Sequence, residues 1–245
     1  MERKKYFIGI LIILLINSIG LRSQTDYRKE IYEAYIQSNM QAWKKTIERM
    51  EAADLSPREK VELIHFYYGY IGYGIGTGQK KLAGEYIKKG EKIIQALLEE
   101  DPRNATLNAF KGSFISFKIG LNKLKAVSLG PQSMRYINQA YDLDTNNVQA
   151  LAAKANMFYY APSIFGGDKK KAITFYKKAI HQLEETRDTV NNWFYLNLLV
   201  QLARHYEEMK MKKQSLSVYE KILKQEPRFV WIKEDLYPKL IKARD

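Results

Sequence analysis

Apolar residues recur at spacings of three and four along almost the whole chain after residue 24. This spacing places them on one face of a helix, whereas a half-buried strand alternates apolar and polar positions. We find no convincing run of alternating β-branched residues between turn signals. The pattern therefore predicts an all-α domain over residues 24–245, divided into helices of roughly 14 to 22 residues.

Helix start signals recur along this pattern. The sequence SPRE, residues 56–59, is a capping box with proline at the first helical position. Ser38 and Gln41 have capping-box spacing as well, and Asp168 precedes a lysine-rich segment with helical periodicity. These signals predict consecutive helices joined by turns.

Residues 196–227 contain the sharpest periodic signal. The residues that define it are Leu199, Leu202, Ala203 and Tyr206 in a first helix, then Ser215, Tyr219 and Ile222 in a second helix before Pro227. Small residues at these spacings let neighbouring helices approach, and the aromatic residues fill the gap between hairpins. The segment resembles the tetratricopeptide repeat (TPR), a helical hairpin of about 34 residues.

Weaker copies of the same pattern lie upstream. In residues 146–180 the matching positions are Leu151, Ala155 and Phe158, then Ala172, Tyr176 and Ala179, with the longer connecting loop APSIFGG. A third copy ends in INQAYDLDTNN, and a fourth would span residues 69–100. The resemblance implies an α-solenoid of about five helical hairpins in a right-handed superhelix, with residues 25–53 and 228–244 covering its ends.

The stretch YYGYIGYGIGTGQKK, residues 67–81, contains five glycines. Its glycine spacing fits neither the dinucleotide-binding pattern nor the P-loop pattern. A glycine inside a helix costs about 1 kcal/mol relative to alanine, so its presence needs a packing or functional reason. We predict that these glycines allow close helix contact while the tyrosines fill space around them, with ligand binding as the alternative.

The first residues, MERKKYFIGILIILLINSIGLRSQ, are a short basic segment followed by an apolar run. That order is typical of a secretory signal peptide, which we assign to residues 1–23, with cleavage after Gly20 or Ser23. The alternative is an uncleaved membrane anchor, although the apolar run is shorter than the ~20 residues that a span needs. We therefore predict a periplasmic or secreted bacterial protein with no stable membrane span after cleavage.

Composition and charge exclude several kinds of site and partner. The chain has no cysteine, which excludes bacterial lipoprotein attachment, disulfides and thiolate metal sites. Residues 1–23 contribute +3 of the net charge of +13, which leaves +10 on the exported part. A basic protein attracts anionic surfaces, but export argues against nucleic acid as a partner. We interpret the paired and tripled lysines mainly as solvated helix faces.

The chain offers few groups for catalysis. His65, His181 and His205 lie in separate predicted helices without metal-ligand spacing, and we expect each to be a partly exposed helix residue. Adjacent glutamates such as Glu207 and Glu208 project about 100° apart on a helix, which is unsuited to a general acid–base pair. The sequence thus predicts no enzyme, no cofactor and no metal. A glycan-active enzyme with carboxylates from distant segments is an alternative.

The resemblance to TPR proteins implies a groove lined by first-helix residues. The matching positions are Gln149, Asn156, Tyr159 and Tyr160 in one repeat, Asn197 and Arg204 in the next, and Trp231 in the last helix. Aromatic side chains beside asparagine and arginine suit an extended peptide or a ligand with a carboxylate. We therefore expect a protein or peptide partner in the cell envelope. Alternatively, Tyr159 and Tyr160 pack beneath the long loop.

Residues 159–180, YYAPSIFGGDKKKAITFYKKAI, suggest a second resemblance. They are similar to a loop and helix of periplasmic TPR proteins that include the T component of tripartite ATP-independent transporters. This resemblance implies an alternative function as a helper of solute uptake. Such a helper would enclose a small organic anion in an internal channel or dock on a solute-binding protein.

Overall fold

The computed structural model describes residues 27–243, which form helices and turns without a strand. In chain order the helices are α1 (27–36), α2 (Met40–Glu51), α3 (Pro57–Gly76), α4 (Lys80–Glu100), α5 (Ala105–Leu121), α6 (Ala126–Leu143), α7 (Val148–Tyr160), α8 (Lys169–Glu185), α9 (Trp193–Glu208), α10 (Lys212–Gln225) and α11 (230–242). Helix α11 contains a π-helical turn, Ile232–Leu236. The all-α prediction is confirmed, and the predicted signal peptide lies outside the described residues.

Consecutive helices pack as hairpins. The pairs α3–α4, α5–α6, α7–α8 and α9–α10 make the most extensive contacts, and each first helix also packs against the preceding hairpin. Helices α1 and α2 are joined by Glu30, which accepts hydrogen bonds from Thr46 at 2.9 Å and from Arg49 at 3.0 Å. Among residues 27–243, no helix combines the length and the apolar character needed to cross a bilayer.

Two of the three predicted helix starts are confirmed, whereas α5, α7 and α9 begin after asparagine caps that were not predicted. Ser56 and Glu59 form the predicted capping box, and the Asp168 carboxylate accepts the first N–H groups of α8. The prediction of a cap at Ser38 is wrong. Ser38 instead adopts the left-handed conformation that ends α1, with φ of 53°, and Asn39 caps α2 by accepting from Ala42 N at 3.0 Å.

Four of the five glycines of this stretch lie on α3, and Gly78 lies in the turn before α4. Among them, Gly69 marks the closest helix contact. A Cβ atom added to Gly69 would lie 2.7 Å from Trp43 and 2.8 Å from Trp193. Cβ atoms do not approach other heavy atoms this closely, so the two indole rings occupy the space that glycine leaves. The packing prediction is confirmed at this position.

The other three glycines on α3 divide into two kinds. A Cβ atom on Gly74 would lie 2.9 Å from Leu82, so this glycine lets α4 approach α3. At Gly72 and Gly76 no atom lies within 4 Å of the Cβ position. The packing prediction is confirmed for Gly74 and is wrong for Gly72 and Gly76, whose outer faces are open.

The first hairpin packs against the last hairpin through aromatic rings. The ring of Tyr35 on α1 lies 5.8 Å from Trp193 on α9 and 5.0 Å from Phe229, which precedes α11. Trp43 and Trp193 meet edge to face, with ring centroids 4.9 Å apart. The centre of the described part of the chain is therefore filled with aromatic side chains.

Polar contacts also join the first and last hairpins, and we call this junction the closure of the chain. Tyr32 donates a hydrogen bond at 3.0 Å to Glu226, which lies 194 positions later and is 6% exposed. Arg228 binds Glu226 at 2.9 Å and Glu33 at 3.0 Å. Burial acts to raise the pKa of Glu226, but hydrogen bonds from Arg228 and Tyr32 hold it below the usual value. The buried carboxylate is thus ionised and paired, and it ties α1 to the segment before α11.

Candidate functional site

The seven predicted groove residues separate into two groups. Gln149, Asn156, Tyr159 and Asn197 are buried or partly buried, whereas Tyr160 and Arg204 are exposed and Trp231 is partly exposed. The first group faces other parts of the chain. The second group lies near the ends of α7 and α9 and in the first turn of α11, where a partner has access.

The polar atoms of Asn156 are used inside the chain. Its side-chain nitrogen donates to the Tyr68 hydroxyl at 2.9 Å, and its oxygen accepts a hydrogen bond from Tyr176. Likewise, the Asn197 oxygen accepts from the Tyr35 hydroxyl at 3.3 Å. Helices α1, α3 and α8 thus supply the groups that the groove hypothesis assigned to a partner.

Two other predicted residues are buried in the same region. Gln149 is 5% exposed, and its amide group makes no hydrogen bond with the described residues. Tyr159 is 8% exposed, and its ring lies flat on His205 with centroids 3.4 Å apart and planes 8° apart. The alternative prediction, in which both tyrosines pack beneath the long loop, is right that Tyr159 serves packing, but its ring packs on His205 of α9. It is wrong for Tyr160, which is exposed.

His205 is 2% exposed, so the expectation of a partly exposed helix residue is wrong at this position. The rings of Tyr159 on α7 and Tyr176 on α8 cover it, and the local sequence around His205 does not signal these tertiary contacts. Burial lowers the pKa of His205 to about 3, Glu208 opposes this effect, and Arg204 and Lys169 add to it. At neutral pH the ring is an uncharged aromatic packing element.

His65 has a similar environment on α3. Its ring packs against Trp193 and Phe194, with centroids 5.0 and 4.5 Å away. Burial lowers the pKa of His65 to about 3 as well. Within the described part of the chain, no group of three or more histidine, aspartate and glutamate residues is placed to hold a metal ion.

Adjacent glutamates on α9 face different neighbours. Glu207 accepts hydrogen bonds from Tyr219 and Ser215 on α10. Glu208 instead forms an ion pair with Lys169 on α8 at 3.5 Å. The divergence matches the ~100° step between consecutive helix positions, and these two carboxylates do not share a cleft.

Arg204 is the central residue of the exposed group. Its guanidinium carbon lies 5.9 Å from the ring centroid of Trp231, and its side chain makes no salt bridge with residues 27–243. Tyr160 is 68% exposed. Burial raises the pKa of the Tyr159 and Tyr160 hydroxyls, and the nearby charge of Arg204 opposes that rise. Arg204, Tyr160 and Trp231 therefore form one accessible patch, which we call the arginine patch.

Among solved structures, the chain is similar to the crystal structure of a thermophilic TPR protein from Thermus thermophilus. The TM-score is 0.52 and the sequence identity is 16%, and the match covers 82% of this chain and 90% of that chain. No protein-family model and no curated protein matches the sequence. At this identity the similarity establishes the fold alone, and at that level it confirms the resemblance that the repeat pattern predicted.

Proposed function

We propose that this chain, a helical protein with the TPR fold, is a non-catalytic scaffold built from about five hairpins and a terminal helix. It binds a protein or peptide segment through the arginine patch. The observation that carries this proposal is the exposed Arg204 guanidinium, which lies 5.9 Å from the ring centroid of Trp231 and has no carboxylate partner among the described residues. Its charge also acts on the hydroxyl of the exposed Tyr160, where it opposes the rise in pKa that burial causes. The ligand class is a segment with an accessible carboxylate.

The arrangement suits such a ligand for a physical reason. An arginine whose face lies against an aromatic ring keeps the N–H groups along its edge available, and these match the two oxygens of a carboxylate. The rings of Tyr160 and Trp231 add apolar contact area at low entropic cost. Asn156 and Asn197 bind other parts of the chain, so the proposed site is smaller than a full concave groove.

The test is affinity capture of partners from the protein's own cell envelope, followed by mass spectrometry. Arg204→Ala and Tyr160→Ala are compared with the native chain. Arg103→Ala is the matched control, because Arg103 is also exposed and its removal causes the same charge change. We expect partner affinity to fall at least about tenfold for the first two variants and to stay unchanged for the control.

Each result decides between hypotheses. Equal capture by all variants would show that the arginine patch does not bind the partner. Loss of capture by Arg103→Ala as well would show that net charge, rather than the patch, determines binding. Circular dichroism and thermal unfolding of each variant establish that the fold is retained.

We also propose export, on the basis of the basic and apolar order of residues 1–23. Mass spectrometry of the protein purified from its own cells tests this. A mature chain beginning at Leu21 or Gln24 supports cleavage at the two predicted positions. An intact N-terminus in the membrane fraction would favour the anchor.

A transporter helper that binds a small organic anion would use the same guanidinium. Titration of the chain with small mono- and dicarboxylates, monitored by calorimetry, separates this alternative from a protein ligand. Binding of a small acid that Arg204→Ala abolishes, together with no captured protein, would favour the transporter hypothesis.

A further inference from the structure

Four turns of the solenoid lie along one edge. A Cβ atom on Gly120, at the end of α5, would lie 3.8 Å from Ile75, at the end of α3. Asn147, which caps α7, donates to Thr106 at the start of α5 at 2.8 Å, so these two helices run side by side in the same direction. Lys169, at the start of α8, pairs with Glu208, at the end of α9. The turns α3–α4, α5–α6, α7–α8 and α9–α10 therefore follow one another along this edge.

This edge has an unusual charge composition. Its segments, residues 77–81, 122–127, 161–171 and 209–213, contain ten lysines, one aspartate and no arginine. We call it the lysine edge. The turns at the opposite edge are residues 52–56, 101–104, 144–147, 186–192 and 226–229, with five acidic residues, three arginines and no lysine. The molecule is therefore polarised between its two edges.

Apolar side chains project between these lysines. Leu124 and Val127 are 90% and 82% exposed, and Ile164 and Phe165 are 85% and 56% exposed. Leaving large apolar side chains in water is unfavourable, and such clusters mark interaction surfaces. Both clusters lie on the lysine edge, with Lys123 and Lys125 on either side of Leu124.

The turn that carries Ile164 and Phe165 is held in one conformation by backbone hydrogen bonds. Four backbone hydrogen bonds close it, including Gly167 N to Pro162 O at 3.1 Å and Asp168 N to Phe158 O at 2.8 Å. Gly166 has φ of 85°, and a Cβ atom on Gly167 would lie 1.8 Å from the Ala161 oxygen. The fold thus holds the apolar tip of the turn outward.

We propose that the lysine edge binds the surface of a membrane that contains anionic phospholipids. Lysines near the surface supply electrostatic attraction, and the apolar tips enter the boundary between head groups and acyl chains. This pairing of aliphatic tips with lysines favours lipid over nucleic acid. Arginine is the preferred residue for bidentate contacts with nucleic acid, and this edge has none. The arginine patch adjoins this edge at the ends of α7 and α9. The two proposals rest on different residues, so their variants test them independently.

The absence of cysteine allows one label to be placed at a chosen position of the full-length chain. Phe165→Cys and Leu124→Cys place an environment-sensitive fluorophore on the lysine edge. Val190→Cys is the matched control, since Val190 is 75% exposed on the opposite edge. Each labelled chain is mixed with vesicles of phosphatidylcholine alone or with added phosphatidylglycerol. All variants share the same N-terminal segment, so a difference between label positions reports which edge touches lipid.

We expect labels at 124 and 165 to become several-fold brighter only with phosphatidylglycerol, and to lose this response at high salt. Equal responses at 190 and 165, or no response at 124 and 165, would overturn the proposal. So would a response of these labels to single-stranded DNA without a response to vesicles.

A lysine series gives an independent measurement. We expect a triple variant to bind vesicles roughly a hundredfold more weakly, because each surface lysine contributes about a fivefold factor. The variant carries Lys123→Gln, Lys125→Gln and Lys170→Gln. The control changes the same number of exposed lysines elsewhere, Lys60, Lys92 and Lys224. Equal weakening in both triple variants would show that only net charge matters, and would contradict a specific edge.

Discussion

Replacing Gly69 by alanine is expected to destabilise the chain by about 1–3 kcal/mol or more, because the added methyl group overlaps two buried indole rings. The Cβ position lies 2.7 Å from Trp43 and 2.8 Å from Trp193, and both rings are almost completely buried. These rings also join the first hairpin to α9. Relief of the overlap therefore requires the two ends of the described chain to move apart.

Gly72→Ala, on the same helix, is the matched control. No atom lies within 4 Å of its Cβ position, so the substitution only improves helix propensity. We expect it to stabilise the chain by about 0.5–1 kcal/mol. The free energy of unfolding from urea titrations measures both effects. A Gly69→Ala chain as stable as the native one would show that the two tryptophans do not pack on this glycine.

Acid is expected to destabilise this protein steeply between about pH 6.5 and pH 3. Burial lowers the pKa of both His65 and His205 to about 3, whereas histidines of an unfolded chain titrate near 6.5. Between these values the unfolded state binds more protons than the folded state. The free energy of unfolding therefore falls as the pH falls, by about 1.4 kcal/mol per pH unit for each histidine. Above about pH 6.5 this contribution is constant.

His205→Phe separates this effect from the titration of carboxylates. Phenylalanine preserves an aromatic ring on Tyr159 but takes up no proton. We expect the slope of unfolding free energy against pH in the acid range to decrease by about 1.4 kcal/mol per pH unit. His181→Phe is the control, because His181 is exposed. An unchanged slope in His205→Phe would mean that the imidazole is protonated in the folded protein.

Local patterns predicted the helices and most of the repeat core. The positions that define the repeat in residues 196–227, from Leu199 to Ile222, are all buried. They could be identified from the sequence because small and aromatic residues at helical spacing report on contacts within one hairpin. The capping box at residues 56–59 likewise placed the start of α3. The prediction for its glycines failed only where it had to distinguish a packed glycine from an open one.

The closure of the chain could not be predicted in this way. Tyr35 and Tyr68 bind Asn197 and Asn156 across 162 and 88 positions, and no local spacing signals such a pairing. The groove residues were identified by position within a repeat, but their availability depends on which other helix covers them. For the same reason, Arg204 was predicted together with Asn156, although only Arg204 is accessible.

The contact between the first and last hairpins also constrains how this protein can change over evolution. An open solenoid lengthens by duplication of a hairpin, since each hairpin touches only its neighbours. In this chain, one more hairpin in the middle would shift α1 relative to Glu226 by roughly the 8–10 Å that separates packed helices. That shift would break the buried pair between Tyr32 and Glu226. Relatives with this closure should therefore keep the number of hairpins and vary in their turns.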